Sequence, residues 1–337
     1  MTPTFQLSAD QKDITALVKN RLVSLKIHDT VDVASCSLEF TLDNRDGAIR
    51  VPPFGANLRA AIGYEETGLV AKGAWRCDEF ELEWPGQRLL IRARSADTNA
   101  PDRLSAIKRL QTRSWLTAGG APMPLGDIAA KMASESNLAL KIDPAIAAAI
   151  PAHTSQAAES DLAFLMREVT GKPNGTCVLA NNTLMIFQTG QGQSVTGKPM
   201  NTITIVPTDC MRARSLLTRR SSHKRVKARW VDPNGKTNFV EAVSADATDE
   251  DATTELLPDF DDRDIAQDAA TAQVNNLDRG SESMSLTLVG NPQISIETKI
   301  ELKGFNPTVD RVWTVAEASH RLDTQGYITE VEAVKQL

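Results

Sequence analysis

Residues 303–334 read KGFNPTVDRVWTVAEASHRLDTQGYITEVEAV, and the reading of the whole chain turns on them. Gly304 and Pro307 punctuate a turn that ends one strand and begins the next. Val312 to Leu322 is rich in Val, Trp and Thr and reads as a strand with a kink. Asp323 to Gly326 carries hairpin turn residues, and Tyr327 to Val334 returns alongside. The expectation is a terminal hairpin inside the fold, paired with strands upstream. Such pairing closes a barrel or sandwich and removes its edges.

Working back from this hairpin, the preceding region is also β in pattern. Thr202 to Val206, Arg225 to Val231, Thr237 to Val243, Ser283 to Val289, Gln293 to Ile296 and Lys299 to Leu302 read as strands. Asp232-Pro233-Asn234-Gly235 is a strong turn signal. An acidic segment and a helix-like run, Asp264 to Leu277, interrupt these strands over about 244–282. The first 96 residues show the same habit. Phe5 to Leu7 and Leu22 to His28 read as strands, and Leu38, Phe40 and Leu42 alternate toward one core. Leu58 to Tyr64 alternates again, Leu69 to Trp84 is broken at Gly73, and Leu89, Ile91 and Ala93 share a face. Between the two β regions the period changes. Leu125 to Ala133 has helical spacing, as does Ser160 to Val169, with Leu162, Leu165, Met166 and Val169 on one stripe. Thr176 to Ala180 and Thr183 to Gln188 form a strand pair joined at Asn181-Asn182, and Gly190 to Pro199 reads as a connector.

The expected fold is therefore mainly β with α+β insertions. Two tandem tube-like β-barrel domains occupy 1–96 and 199–337, and a smaller α+β domain with its connector occupies 97–198. No short-period repeat is present, yet the β, α+β, β order suggests two barrels of common ancestry.

Composition narrows the function classes. Hydrophobic residues make up 41% and charged residues 24%, as in soluble globular proteins. The net charge of -6 gives no general reason for nucleic-acid binding. With only 5% aromatics and two tyrosines, a base-stacking platform or a carbohydrate-binding β protein is disfavoured. The start has neither a basic nor an apolar signal-peptide region, and no run matches a membrane-spanning helix. The expectation is synthesis and folding in a cytoplasm.

Chemistry-bearing motifs are absent from the pattern. Cys36, Cys77, Cys177 and Cys210 lie outside metal-ligand spacing, and His28, His153, His223 and His320 are scattered. No G-x-S-x-G, P-loop or dinucleotide fingerprint occurs. The expectation is no catalytic residue, no metal and no cofactor. Two charged stretches stand out. Eight Lys or Arg residues lie between Arg212 and Arg229, and nine Asp or Glu residues between Asp246 and Asp264. Arg225, Lys227 and Arg229 alternate with Val226, Ala228 and Trp230, placing three cations on one strand face, either a contact surface or a solvated one. The acidic segment, Asp246 to Asp262, reads as a mobile loop, because so few apolar residues cannot offset its ordering entropy. Arg113 and Trp115 sit between the first and middle domains. They read either as an interdomain or intersubunit anchor or as a buried Trp beside a solvated Arg.

Several blocks in order resemble the late control D family of contractile-tailed phages, the baseplate hub proteins. They are DITALVKNRLVSL at 13–25, LEFTLDNRDG at 38–47, PPFGANL at 52–58, GYEETGLV at 63–70, TRSW at 112–115, ESDLAFL at 159–165 and the terminal hairpin. The family is similar to the base of type VI secretion spikes. The resemblance implies a homotrimer with two tube-like barrels per chain, forming a ring of six barrels. Such a ring joins the sixfold tail tube to the threefold tail spike, at the tail baseplate of a phage or phage-tail-like particle. Baseplate wedge and tape measure proteins are further candidate partners. Neither sequence-specific nucleic acid nor membrane insertion is implied, and no catalytic residue belongs to the pattern. The readings set against the hub are a tail-associated cell-wall hydrolase and a carbohydrate-binding β protein.

Overall fold

The computed structural model describes residues 1–30, 36–49, 51, 53–95, 107, 109–151, 153–171, 175–180, 183–188, 202–217, 224–232, 235–244, 247, 252–260, 262–280 and 282–335. The first β region contributes β1 (Pro3–Ala9), β2 (Lys12–Asp13), a helical turn α1 (Thr15–Val18), β3 (Leu22–Thr30), β4 (Ser37–Asp43), β5 (Asn57–Tyr64), β6 (Gly68–Glu83) and β7 (Arg88–Ser95). The alternation read in β4 is real: Leu38, Phe40 and Leu42 are at most 2% exposed, as are Leu89, Ile91 and Ala93 on β7. These face Leu7, Leu25, Ile27, Leu58 and Ile62 in one core. Each such aliphatic or aromatic side chain contributes about 1.5–3 kcal/mol on burial.

The middle region contains β8 (Leu110–Ser114), α2 (Leu125–Glu135), β9 (Ala139–Ile142), α3 (Pro144–Ala147), β10 (Ser155–Ser160), α4 (Asp161–Gly171), β11 (Gly175–Ala180) and β12 (Thr183–Gln188). β8 pairs with β10, while β11, β12 and β9 form a separate three-stranded sheet. α2 and α4 bury Ile128, Met132, Phe164, Leu165 and Val169 against it.

The chain then forms β13 (Thr202–Ile205) and β14 (Cys210–Leu217), followed by β15 (Arg225–Val231), β16 (Thr237–Val243), β17 (Thr253–Phe260) and α5 (Arg263–Gly280). It ends with β18 (Glu282–Val289), β19 (Lys299–Leu302), β20 (Val312–Asp323) and β21 (Gly326–Lys335). The terminal hairpin is as read. Its kink is a bulge at Ala316, where the β20 register slips between Val315 and Glu317. The preceding turn is held by the Asp310 carboxylate, which accepts from Gly304 and Phe305 N–H, each at 3.0 Å. Gly304 sits at φ 81°, a backbone region where a Cβ is disfavoured.

The hairpin does pair upstream, across the two β regions: Glu317–Asp323 of β20 runs antiparallel to β3. One sheet therefore spans both, in the order β14-β18-β21-β20-β3-β4-β7-β6-β5-β1-β2. Its ends do not meet, so the mainly β class holds, but among the described residues no barrel closes. Two cores line one face of this sheet, the one around Phe40 and a second around Trp313, Leu286, Ile300 and Val331. The two halves share one strand order. The sequence β3-β4-β7-β6-β5 in the first is matched by β14-β18-β21-β20-β19 in the second.

Three expectations are corrected. Arg225 to Val231 and Thr237 to Val243 do not join the second large-sheet region. They form a separate sheet in the order β16-β15-β17, backed by α5. Val226 and Ala228 are fully buried against Ala266 and Ala270, so this insertion starts after β14 and not at about 244. Within the acidic segment, Thr253–Phe260 is a strand, paired parallel to β15. Leu256 and Phe260 pack into the insertion's core while Glu255 stays exposed, so few apolar residues suffice once a helix covers one face. Gln293 to Ile296 is a turn, not a strand. Residues 181–182, 190–199, 223, 245–246, 248–251 and 261, which carry the Asn-Asn turn, the connector, His223 and much of the acidic segment, lie outside the described residues.

Candidate interaction surfaces

The face of the large sheet opposite its cores is polar, because period-2 alternation sends every second side chain there. Charges alternate across it. Lys26 on β3 faces Glu39 on β4, Glu39 faces Arg92 on β7, and Arg92 faces Glu79 on β6. Arg92 also reaches Glu81 at 3.1 Å. A hollow of about 370 Å³ lies on this face, lined by Lys26, His28, Arg212, Arg214, Glu330 and Glu332 among others. Such a surface suits broad charged contact.

The basic strand face is divided by the structure. Arg225, Lys227 and Arg229 do share the outer face of β15, away from the helix. Each has an acidic neighbour. Arg225 lies 3.6 Å from Glu241, Arg229 pairs with Asp259, and Lys227 sits between Glu241 and Glu255 in register. Phe239, Val243 and Leu257 stand exposed beside them at 58%, 47% and 75%. The earlier part of the basic run, Arg212 and Arg214, belongs to a different element, the edge strand β14. Sequence reading missed that strand because its alternation is hidden by charge and by small residues.

Arg113 and Trp115 come together inside the middle region. Trp115 is 1% exposed and its indole N–H donates to Gln156 Oε1 at 3.1 Å. The Arg113 guanidinium donates to both Asp161 oxygens at 2.6 Å and to Glu135 at 2.7 Å. Gln156 Nε2 in turn donates to Asp161 at 2.7 Å. Within this chain Trp115 is buried, and Arg113 is held by carboxylates and not solvated. The Trp115 ring fills a core and its polar atom is satisfied locally.

A second buried polar group joins the two β halves. Lys72 protrudes from β6 beside Gly73, donates to the Ile294 carbonyl at 2.8 Å and faces Asp29. Burial pushes the Lys72 ammonium down to about 8 and the Asp29 carboxyl up. Tyr64 donates to the Gly290 carbonyl at 2.8 Å. His320 bridges Ile294 and Tyr327. The turn at 290–298 is thereby fixed from both halves.

None of the four cysteines forms a disulfide. Burial pushes the Cys77 thiol up to about 11 and Cys177 to about 12, so both are unreactive thiols near neutrality. Among the described residues no group of three His, Cys, Asp or Glu gathers for a metal ion, and no helix is long and apolar enough to cross a membrane.

This fold is similar to that of solved tail proteins. The fold matches the crystal structure of the tail protein from Neisseria meningitidis MC58 with a TM-score of 0.70 at 11% identity, covering 99% of this chain and 97% of that one. In sequence the chain is similar to two proteins named as probable baseplate hub proteins. The one from Escherichia phage P2 is 26% identical, over 98% of this chain and 93% of the relative. The one from Escherichia phage 186 is 24% identical, over 98% and 92%. No family model matches the chain. The resemblance to baseplate hub proteins read from the sequence holds over nearly its whole length.

Proposed function

We propose that this chain is a structural baseplate hub of a contractile phage tail or phage-tail-like particle. The observation that carries this is similarity, over almost the full chain, to two probable baseplate hub proteins. Its place is the tail baseplate. Three copies form a pseudo-sixfold ring that joins the tail tube to the central spike. The shared strand order of the two halves supports this, since two like units per chain turn a threefold ring into a near-sixfold one. The tube-like barrel character belongs to that assembly and not to the lone chain, whose sheet stays open. The division into a first β unit (1–96), an α+β unit (97–198) and a second β unit (199–337) is supported by the main cores, with Leu322 and Tyr327 of the terminal hairpin joining the first and the insertion carrying a core of its own. Wedge and tape measure proteins are further contacts. The chain acts without catalysis, metal or cofactor, and peptidoglycan zymography is expected to show no clearing.

Co-expression with the spike and tube proteins of its own particle tests the reading. A complex with three copies each of hub and spike is expected. A particle that assembles normally without this chain overturns the hub assignment.

A further inference from the structure

The joint between the two β halves has a counterpart at each free end of the large sheet. β20 pairs with β19 through Val312–Thr314, bulges at Ala316, and then lays its tail, Glu317–Asp323, against β3. β6 repeats this plan. It pairs with β5 through Gly68–Arg76, bulges at Asp78, and extends the tail Glu79–Glu83. Beyond β7, however, no described strand pairs with that tail. The other side of the joint is repeated too. β3 bulges at Val23 against β4, and β14 bulges at Met211 against β18. β3 has β20 on its outer side, whereas β14 has no described strand there.

Aligning the bulges fixes a register. Glu79 takes the place of Glu317, and Glu83 that of Arg321. Arg212 takes the place of Ser24, and Arg214 that of Lys26. Within the chain Arg321 lies opposite Lys26 and Ser319 opposite His28. The same joint between copies therefore sets Glu83 opposite Arg214 and Glu81 opposite Leu216.

We propose that the β6 tail of one copy pairs antiparallel with β14 of a second copy, Glu83 facing Arg214, so that the large sheet continues from chain to chain. That three copies close the ring rests on the hub reading; the pairing itself rests on the geometry. The directions agree. The eight strands from β14 to β6 are antiparallel at every step, so copies pointing the same way meet with β6 and β14 antiparallel. The faces agree as well. Glu79, Glu81 and Glu83 lie on the polar face with Arg212 and Arg214, while Phe80 and Leu82 share the core side with Ala213, Ser215 and Leu217. The charges agree too: the pairing adds a basic strand beside an acidic one, and opposite charges across strands favour the pair. Arg214 lies opposite Ser285 on β18, with no acid beside it in register, while Glu83 has Arg88 of β7 on its inner side and nothing described on its outer side. Both edges leave large apolar groups in water. Leu82 and Trp84 are 43% and 67% exposed, and Met211, Leu216 and Leu217 are 64%, 51% and 44% exposed. Uncovered edges of this kind invite strand addition.

The test uses the full chain co-produced with its spike and tube proteins. In the Arg214→Lys variant, carbodiimide joins a carboxylate to an adjacent amine without a spacer. Co-producing the Arg214→Lys chain with an isotope-labelled Glu83-bearing chain assigns the link, since a cross-linked peptide pairing labelled with unlabelled segments comes from two copies. A peptide joining position 214 to Glu83 is expected. Arg214→Glu and Glu83→Arg should each lower recovery of the oligomer at least tenfold with unchanged circular dichroism, and their combination in one chain should restore it. An oligomer that forms without the link and ignores both reversals overturns the pairing and leaves the hub reading intact. A link from position 214 to another tail protein also overturns it, replacing the second copy as occupant. No oligomer under any condition overturns the pairing and the ring together.

Discussion

His320 is 1% exposed at the meeting point of the two β halves, and its environment settles its protonation. Nε2 lies 3.0 Å from the Ile294 carbonyl and has to donate, so Nδ1 accepts from the Tyr327 hydroxyl at 2.8 Å. Burial, with the nearby Lys72 charge, pushes the imidazole down to about 3. Its folded pKa is below the unfolded value of 6.5, so its neutral form is fully matched to the fold above that pH. As pH falls from 6.5 toward 3 the unfolded chain binds a proton that the folded chain refuses. Stability should drop by about 1.4 kcal/mol per pH unit for that one proton. Urea unfolding of His320→Asn between pH 7 and 4 should show a slope shallower by about one proton. Carboxylates held low by partners, such as Asp46 beside Arg21, remain in both proteins and cancel in the difference. Equal slopes would remove His320 from the account.

At the scale of elements, the β8–β10 pair is pinned to α4 by one charge cluster. Asp161 is 1% exposed, and Arg113 supplies two of its hydrogen bonds. Truncation as Arg113→Ala leaves a buried carboxylate short of its cation, which costs about 3–5 kcal/mol. Urea melts of the full chain, followed by amide exchange in β8, β10 and α4, should show that loss, and a change under about 1 kcal/mol would count against the pin. Neither Gln156 nor Asp161 announces this cluster in sequence, since they meet Arg113 only because β10 bulges between Gln156 and Glu159. By contrast β4, β7 and the returning strand β21 were legible residue by residue, because buried positions alternate with more exposed ones, whereas β20 was legible from its Val, Trp and Thr content, since it buries residues on both faces. Gln293–Ile296 misled for the same reason. Ile294 is fully buried, yet its carbonyl serves Lys72 and His320 in place of a strand ladder.

For the whole molecule, the insertion between β14 and β18 is an appendage to a sheet that is continuous without it. Leu217 and Glu282, the residues flanking it, are direct cross-strand partners. Its own core, around Val226, Ala228 and Ala270, is separate from the core under β18 and β21. Replacing 218–281 with an Asn-Gly turn should therefore convert β14 and β18 into a hairpin and leave the large sheet folded. Slow amide exchange in β18, β20 and β21 of the shortened chain is the expected result. Loss of that protection would show the insertion to be part of the sheet's support. Oligomer formation by the same protein would place the insertion outside the ring contacts.

The sequence by itself determined the strand-rich class, the terminal hairpin with its kink, the two middle helices and the order of the two β regions. Those features are local: alternation, helical spacing and turn residues act over a few positions. It also carried the resemblance to hub proteins, because many short blocks recur in order even though each is only turn and core. Tertiary structure alone decided which strands share a sheet. β20 and β3 are nearly 300 residues apart, and their pairing depends on both halves having folded. Tertiary structure also placed Arg225, Lys227 and Arg229 in a self-neutralised appendage, and left Arg214 and Glu83 on uncovered edges. Whether a charge is matched depends on what lies 5 Å across a sheet, a neighbour that spacing along the chain does not specify.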